Sequence, residues 1–206
     1  MIGVIPAGGQ AQRFMGIHKE MLPIGEGQFL LTAAMLRAKQ HGAERCIVVS
    51  SAEKAALHER LLTSKDSLLV STGWGLWTAI RATFPFRESS ILVLPDTIFT
   101  IKDPVPSAPL AFGVFKTTTP QRYSIFSDGV IVTKPKGIET EQLAWGCVSW
   151  TPEVITFWKN NAYAHYDDAF NAAIVAFGYK TFSIGDYQDL GDWESYRRFI
   201  IARESS

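Results

Sequence analysis

Ile2-Gly3-Val4-Ile5-Pro6-Ala7-Gly8-Gly9 opens the chain and decides how the rest is read. Five residues of apolar character and strand length end in three small ones. That pattern predicts a buried strand running straight into a tight loop. The run is far too short to cross a bilayer and has no basic flank, so it reads as a first strand and not as a signal peptide.

The segments downstream keep alternating. Residues 29–40 carry Leu30, Ala33, Ala34 and Ala38 at helical spacing, and Gly42 supplies a stop. Residues 46–49 form a second β-rich run. A helix is expected over 52–62, with Ser51 as candidate N-cap, then a strand over 68–70 and a helix over 76–84 that Pro85 ends. A fourth strand, 91–94, leads directly into Pro95-Asp96. Strand and helix in strict alternation imply right-handed crossovers and a mostly parallel sheet. The middle changes character. Residues 103–109 are Pro-rich, and short strands follow at 110–115, 123–126 and 130–133, with Asp128-Gly129 as a hairpin signal between the last two. A strand at 145–150, helices at 152–159 and 167–177, a strand at 181–184 and a helix at 193–202 complete the chain. With no repeat or linker, residues 1–206 read as a single domain. Its expected fold is α/β, a three-layer α/β/α sandwich around a mixed, mostly parallel, Rossmann-like sheet.

Composition narrows the function classes. Of 206 residues, 47% are hydrophobic and 19% charged, enough apolar material for a sizeable core. Lys+Arg and Asp+Glu both number 20, so the basic excess typical of nucleic-acid binders is missing and no nucleic-acid partner is expected. No apolar run suggests a membrane partner, and a cytoplasmic protein is the default; a homo-oligomer is left open. Cys46 and Cys147 lie among apolar neighbours and read as buried thiols. His18, His41, His58 and His165 are dispersed and make no metal pattern.

In open α/β sheets ligands bind beyond the carboxyl ends of the strands. This points to Ala7-Gly8-Gly9, to Ser71–Gly75 and to Pro95-Asp96. Glycines let the backbone approach an anion and aim N–H groups at it, and Arg13 and Lys19 follow close behind with two cations. The Walker pattern is absent, and the dinucleotide fingerprint lacks its third glycine. The plain alternative is an ordinary turn with exposed basic residues. Asp96, directly after a strand, and Asp189, before the closing helix, are hard oxygen donors of the kind Mg²⁺ takes in ones or twos. Either one alone also suits a turn or helix cap, and Asp192 is read as the cap of the last helix.

Gly8-Gly9-x-x-x-Arg13 followed by Lys19-Glu20-Met21-Leu22-Pro23-Ile24 resembles the signature of the sugar-phosphate nucleotidyltransferases, such as the glucose-1-phosphate thymidylyltransferases and UTP–glucose-1-phosphate uridylyltransferases, in a compact form. Gly75-Leu76-Trp77-Thr78-Ala79, Leu94-Pro95-Asp96-Thr97-Ile98-Phe99, Lys134-Pro135, Gly146 and Asp189-Leu190-Gly191-Asp192 extend the resemblance over most of the chain. It implies a nucleotide-diphospho-sugar transferase-like fold. It also implies a Mg²⁺-dependent reaction in which a nucleoside triphosphate and a sugar 1-phosphate, or a similar phosphorylated small molecule, give a nucleotide sugar and pyrophosphate. Under the resemblance Arg13 and Lys19 are catalytic. Ala7, Gly8, Gly9, Gln10 and Gly75 bind the nucleotide, Lys134 and Gly146 the sugar phosphate, and Asp96 and Asp189 the metal. The chain departs from the family pattern at Ala11, Pro95, Thr133 and Asp192, and Ser71-Thr72-Gly73-Trp74 lacks the family's Gln. Trp74 and Trp77 are candidates either for stacking on a base or for core packing. These departures keep alive a rival reading, a catalytically inactive nucleotide- or sugar-phosphate-binding module. A glycosyltransferase of related fold would carry an Asp-x-Asp motif after a strand, and Pro95-Asp96-Thr97 lacks the second carboxylate.

Overall fold

The structure, a computed structural model, describes residues 1–10, 14, 17–25, 27–73 and 75–204. Its strands are β1 (Ile2–Pro6), β2 (Pro23–Gly25), β3 (Gln28–Phe29), β4 (Arg45–Ser50), β5 (Ser67–Val70), β6 (Ser90–Val93), β7 (Thr97–Ile101), β8 (Leu110–Thr117), β9 (Ser124–Ser127), β10 (Val130–Thr133), β11 (Gln142–Trp150) and β12 (Lys180–Asp189). Its helices are α1 (Leu30–Gln40), α2 (Ala52–Glu59), α3 (Leu76–Ala82), α4 (Pro152–Lys159), α5 (Tyr166–Phe177) and α6 (Trp193–Glu204).

Ten strands form one mixed sheet in the order β5-β4-β1-β6-β11-β8-β12-β7, with β9 and β10 branching from β11. Strands β1, β4, β5, β6, β8, β9 and β12 run one way, and β7, β10 and β11 run against them. The sheet is therefore mostly parallel, as expected. Its parallel half is the opening β-α-β-α-β-α-β unit.

The central strands are apolar through most of their length because both faces are covered. Ile2 and Val4 of β1, Ile47 and Val49 of β4 and Leu92 of β6 face one core with Trp77, Phe84, Trp158 and Phe170 from the α3, α4 and α5 side. Ile5, Cys46, Val48, Ile91 and Val93 face the opposite core with Leu31, Ala34, Met35 and Ala38 of α1. The alternation is the period-2 consequence of strand geometry. Cys46 and Cys147 are free, fully buried thiols, and burial pushes each up to about 12. Trp77 is core, packed edge-on to Trp158 and Phe84, which settles its reading against base stacking. Trp74 lies outside the described residues.

Four strands differ from expectation near the end where the cleft opens. Strand β7 follows Asp96 after a sharp turn and pairs only with β12. On its other side Arg37 of α1, nearly buried, donates Nε to the Phe99 carbonyl at 2.9 Å and Nη1 to the Thr97 carbonyl at 3.1 Å. An edge strand whose carbonyls are satisfied by a side chain leaves little trace in local pattern. Strand β12 runs to Asp189, well past the expected 184, so Asp189 ends a strand instead of lying in a loop. Strands β2 and β3 form a two-stranded ribbon against a third small core of Phe14, Leu22, Ile24, Leu30 and Leu190, which α6 covers with Tyr196 and Phe199.

Candidate active site

The carboxyl ends of β1, β4 and β6 open onto a cleft of about 540 Å³, within the size range of small-ligand sites. Ala7, Gly8, Gly9, Lys19, Gly75, Asp96 and Lys134 all line it, seven residues selected from sequence. Gly8 is closely packed. A Cβ there would come within 3.3 Å of the backbone of Ser50 and Ser51 at the end of β4. At Gly9 a Cβ would meet nothing within 4 Å among the described residues, and the residue lines the cleft. Gly75 has φ 95°, a left-handed value that glycine adopts without strain, and it starts α3. Gln10 follows the loop and is described but is not among the residues lining the cleft. Arg13 lies outside the described residues.

Lys19 sits in a 3-10 turn, Lys19–Met21, and its Nζ contacts Asp96 Oδ2 directly across 77 residues of sequence. The two side chains are 19% and 15% exposed, so the pair is half-withdrawn from water.

Asp96 and Asp189 come together through the sheet. Asp189 is in register with Thr97, and the Leu190 N–H donates to the Asp96 carbonyl at 2.8 Å. Both carboxylates act on one ring: burial first, then Asp189 and Asp96, hold the Tyr187 phenol well above its usual range. Asp189 Oδ1 accepts from the Gly191 N–H at 2.8 Å, and its Oδ2 lies 3.2 Å from Arg122 Nη2. Arg122 also reaches Asp192 at 3.4 Å. Asp192 Oδ1 accepts from the Ser195 N–H at 2.8 Å, which is the helix-capping role expected for it. Among the described residues no group of three or more His, Cys, Asp or Glu side chains is placed to hold a metal ion. A pair of hard carboxylates at adjoining strand ends nevertheless fits Mg²⁺, which usually draws its remaining ligands from water and phosphate.

On the acceptor side Lys134 is exposed at the cleft wall with φ 48°, its N–H donating to the Tyr123 carbonyl at 2.8 Å. Gly146 does not line the cleft. It interrupts the β11–β8 register, and a Cβ there would lie 2.4 Å from Tyr187 and 2.7 Å from Ile184. The clearance expected for a sugar ring is taken by Tyr187, which stacks on Phe115 at 3.8 Å. Tyr166 lines the cleft and was not anticipated. Its hydroxyl lies 2.9 Å from Ser124 Oγ and 3.3 Å from Thr133 Oγ1, so hydroxyls cluster where the resembled family places a glutamate.

Arg122, Lys54, Tyr166 and Tyr187 went unread in the sequence. Arg122 and Tyr187 carry no local motif. Lys54 and His58 did offer a signal: a cation and a histidine four apart in an expected helix share one face, and that face is buried. His58 Nδ1 is 2.8 Å from Ser50 Oγ, so one side of this core histidine's ring is satisfied.

No family model and no curated protein sequence matches the chain. Solved structures do. A Bacillus anthracis protein assigned as a glucose-1-phosphate thymidylyltransferase superposes with TM-score 0.81 at 17% identity, over 100% of this chain and 96% of its own. A UDP-glucose pyrophosphorylase complexed with UDP-glucose superposes with TM-score 0.79 at 20% identity, over 99% and 98%. The inositol-1-phosphate CTP transferase from T. maritima gives 0.75 at 15%, over 97% and 94%. The chain has the fold of the sugar-phosphate nucleotidyltransferases. The glycine loop, Asp96 and Asp189 lie at one end of one sheet. No helix among the described residues is long and apolar enough to cross a membrane.

Proposed function

We propose that this chain is a nucleotidyltransferase that joins a nucleoside triphosphate to a sugar 1-phosphate, or a similar phosphorylated small molecule, with release of pyrophosphate. One observation carries the reading. A glycine loop, a lysine in contact with a carboxylate, and a second lysine meet in a single cleft, although they come from residues 7–9, 19, 96 and 134. The similarity to structures named for this reaction supports it.

The acceptor's phosphate oxygen attacks the α-phosphorus of the triphosphate. The bond to the bridging oxygen of the β-phosphate breaks, and pyrophosphate leaves with the electron pair. Such a transfer needs no covalent enzyme intermediate, so positioning and charge neutralisation do the catalysis. The backbone of Ala7–Gly9 accommodates the triphosphate, and Gly75 borders the nucleoside end. Lys19 supplies a point charge toward the attacked phosphate, and Arg13 is assigned the leaving pyrophosphate. Lys134 holds the acceptor phosphate from the opposite wall. Asp96 and Asp189 would hold Mg²⁺, whose chemistry there is Lewis-acid neutralisation of phosphate oxygens.

The test is a matrix of nucleoside triphosphates against sugar 1-phosphates, inositol 1-phosphate and phosphocholine with magnesium, read by pyrophosphate release. Release that depends on one triphosphate and one acceptor together establishes the reaction. Silence across the matrix with nucleotide binding intact would make the chain a binding module.

A further inference from the structure

Beneath the glycine loop lies a group of charges that the reaction does not use directly. Helix α2 turns Lys54 and His58 inward, 3% and 0% exposed, against Glu20, which is 1% exposed. Lys54 Nζ lies 2.7 Å from Glu20 Oε1 and also donates to the Gly9 carbonyl; His58 Nε2 lies 3.2 Å from the same Glu20 oxygen. Burial raises the Glu20 carboxyl, but hydrogen bonds from His58 and Lys54 outweigh it and hold the group below its usual range. Withdrawing two ions from water costs several kcal/mol each before pairing repays it, and a methionine would fill position 54 without that cost. The charge therefore needs a reason beyond packing.

The Gly9 carbonyl supplies one. Among the described residues nothing lies within 4 Å of where a Cβ at Gly9 would stand. Lys54 draws the Gly9 oxygen inward. Because the peptide is planar, this contact also fixes the plane of the Gly9–Gln10 peptide at the end of the loop. The same ammonium anchors Glu20, whose neighbour Lys19 is thereby turned to Asp96. We propose that Lys54 is a positioning residue that ties the glycine loop and the turn bearing Lys19 into one preformed cradle for the phosphates of the nucleotide. The proposal rests on the functional reading above and adds the group that presets the site.

Three variants test it: Lys54→Met, Glu20→Gln and the double Glu20→Gln/Lys54→Met. The probe is inorganic pyrophosphate with magnesium, measured by calorimetry and needing no turnover, alongside the melting temperature. Lys54→Met strands a buried carboxylate and should lose stability. The double variant removes both charges and should regain it. If Lys54 positions the loop, the restabilised double variant still binds pyrophosphate about ten-fold more weakly than wild type, the equivalent of one misdirected donor. Affinity that returns together with stability overturns the proposal, as does a double variant that stays unstable, because either result assigns the network to the core. Wild-type protein that binds no pyrophosphate overturns the functional reading itself, and the proposal with it.

Discussion

Replacing Asp96 by alanine separates the chemistry of the site from its stability. In the fold Asp96 does two things: its carboxylate contacts Lys19, and its main-chain carbonyl accepts from Leu190. The substitution removes only the first. At 15% and 19% exposure the pair is half-desolvated, worth more than the 0–1 kcal/mol of a surface pair but short of a buried one, so about 1–2 kcal/mol of stability should be lost. Lys19 can reach water, which limits the loss further. For a chain of this size that corresponds to a fall in melting temperature of roughly 2–8 °C. The catalytic loss is of another order. Removing one of the two carboxylates proposed to carry the divalent ion should cost about 4 kcal/mol in the transition state, or roughly a thousand-fold in rate. Pyrophosphate release at saturating substrates, beside a thermal melt of the same sample, gives both numbers. A folded Asp96→Ala protein that keeps more than a tenth of the wild-type rate would refute the assignment of Asp96 to the reacting phosphates.

Three further outcomes are expected. Lys19→Ala should lower kcat far more than it weakens nucleotide binding, because a compact charge beside the attacked phosphate acts mainly in the transition state; equal losses would give it a ground-state role. Gly146→Ala should push Tyr187 off Phe115, costing about 1–3 kcal/mol of stability by overpacking, with a change in near-ultraviolet dichroism; an unshifted melt would show that the ring moves aside freely. Asp66 is buried and accepts from the Cys46 N–H at 2.8 Å, Lys39 Nζ at 2.8 Å and Thr63 Oγ1 at 2.6 Å. Burial raises its carboxyl, but the bonds from Lys39, Thr63 and Cys46 outweigh that and hold it below the usual range. A depressed carboxylate contributes stability that is present above its unfolded value near 4 and lost as pH falls through the folded one. Asp66→Asn should therefore be destabilised at pH 7 by on the order of 2 kcal/mol in urea, with the gap to wild type closing toward pH 3; a constant gap would remove Asp66 from acid unfolding.

Periodicity and small residues sufficed for much of this molecule. The run at Ile2–Pro6, the glycines behind it and the helix-strand alternation that follows are local features, written in two simple periods and two stop signals. They set the parallel half of the sheet and the end at which the cleft opens, while Lys134 on the cleft wall was reached through the family resemblance. Val130–Thr133 and Pro152–Lys159 were legible to the residue, because a hairpin turn and an N-terminal proline mark them. What local pattern could not supply were relations between distant segments. Strand β7 is completed by an arginine from α1, Asp189 meets Asp96 only because β12 runs on to pair with β7, and Gly146 makes room for a tyrosine forty-one positions later. Lys54 carries no local mark of its role, which comes only from its burial beneath Gly9. Such contacts belong to no segment by itself. They arise when elements with satisfied backbones pack, and the ends of their strands then place charges that the chain order keeps apart.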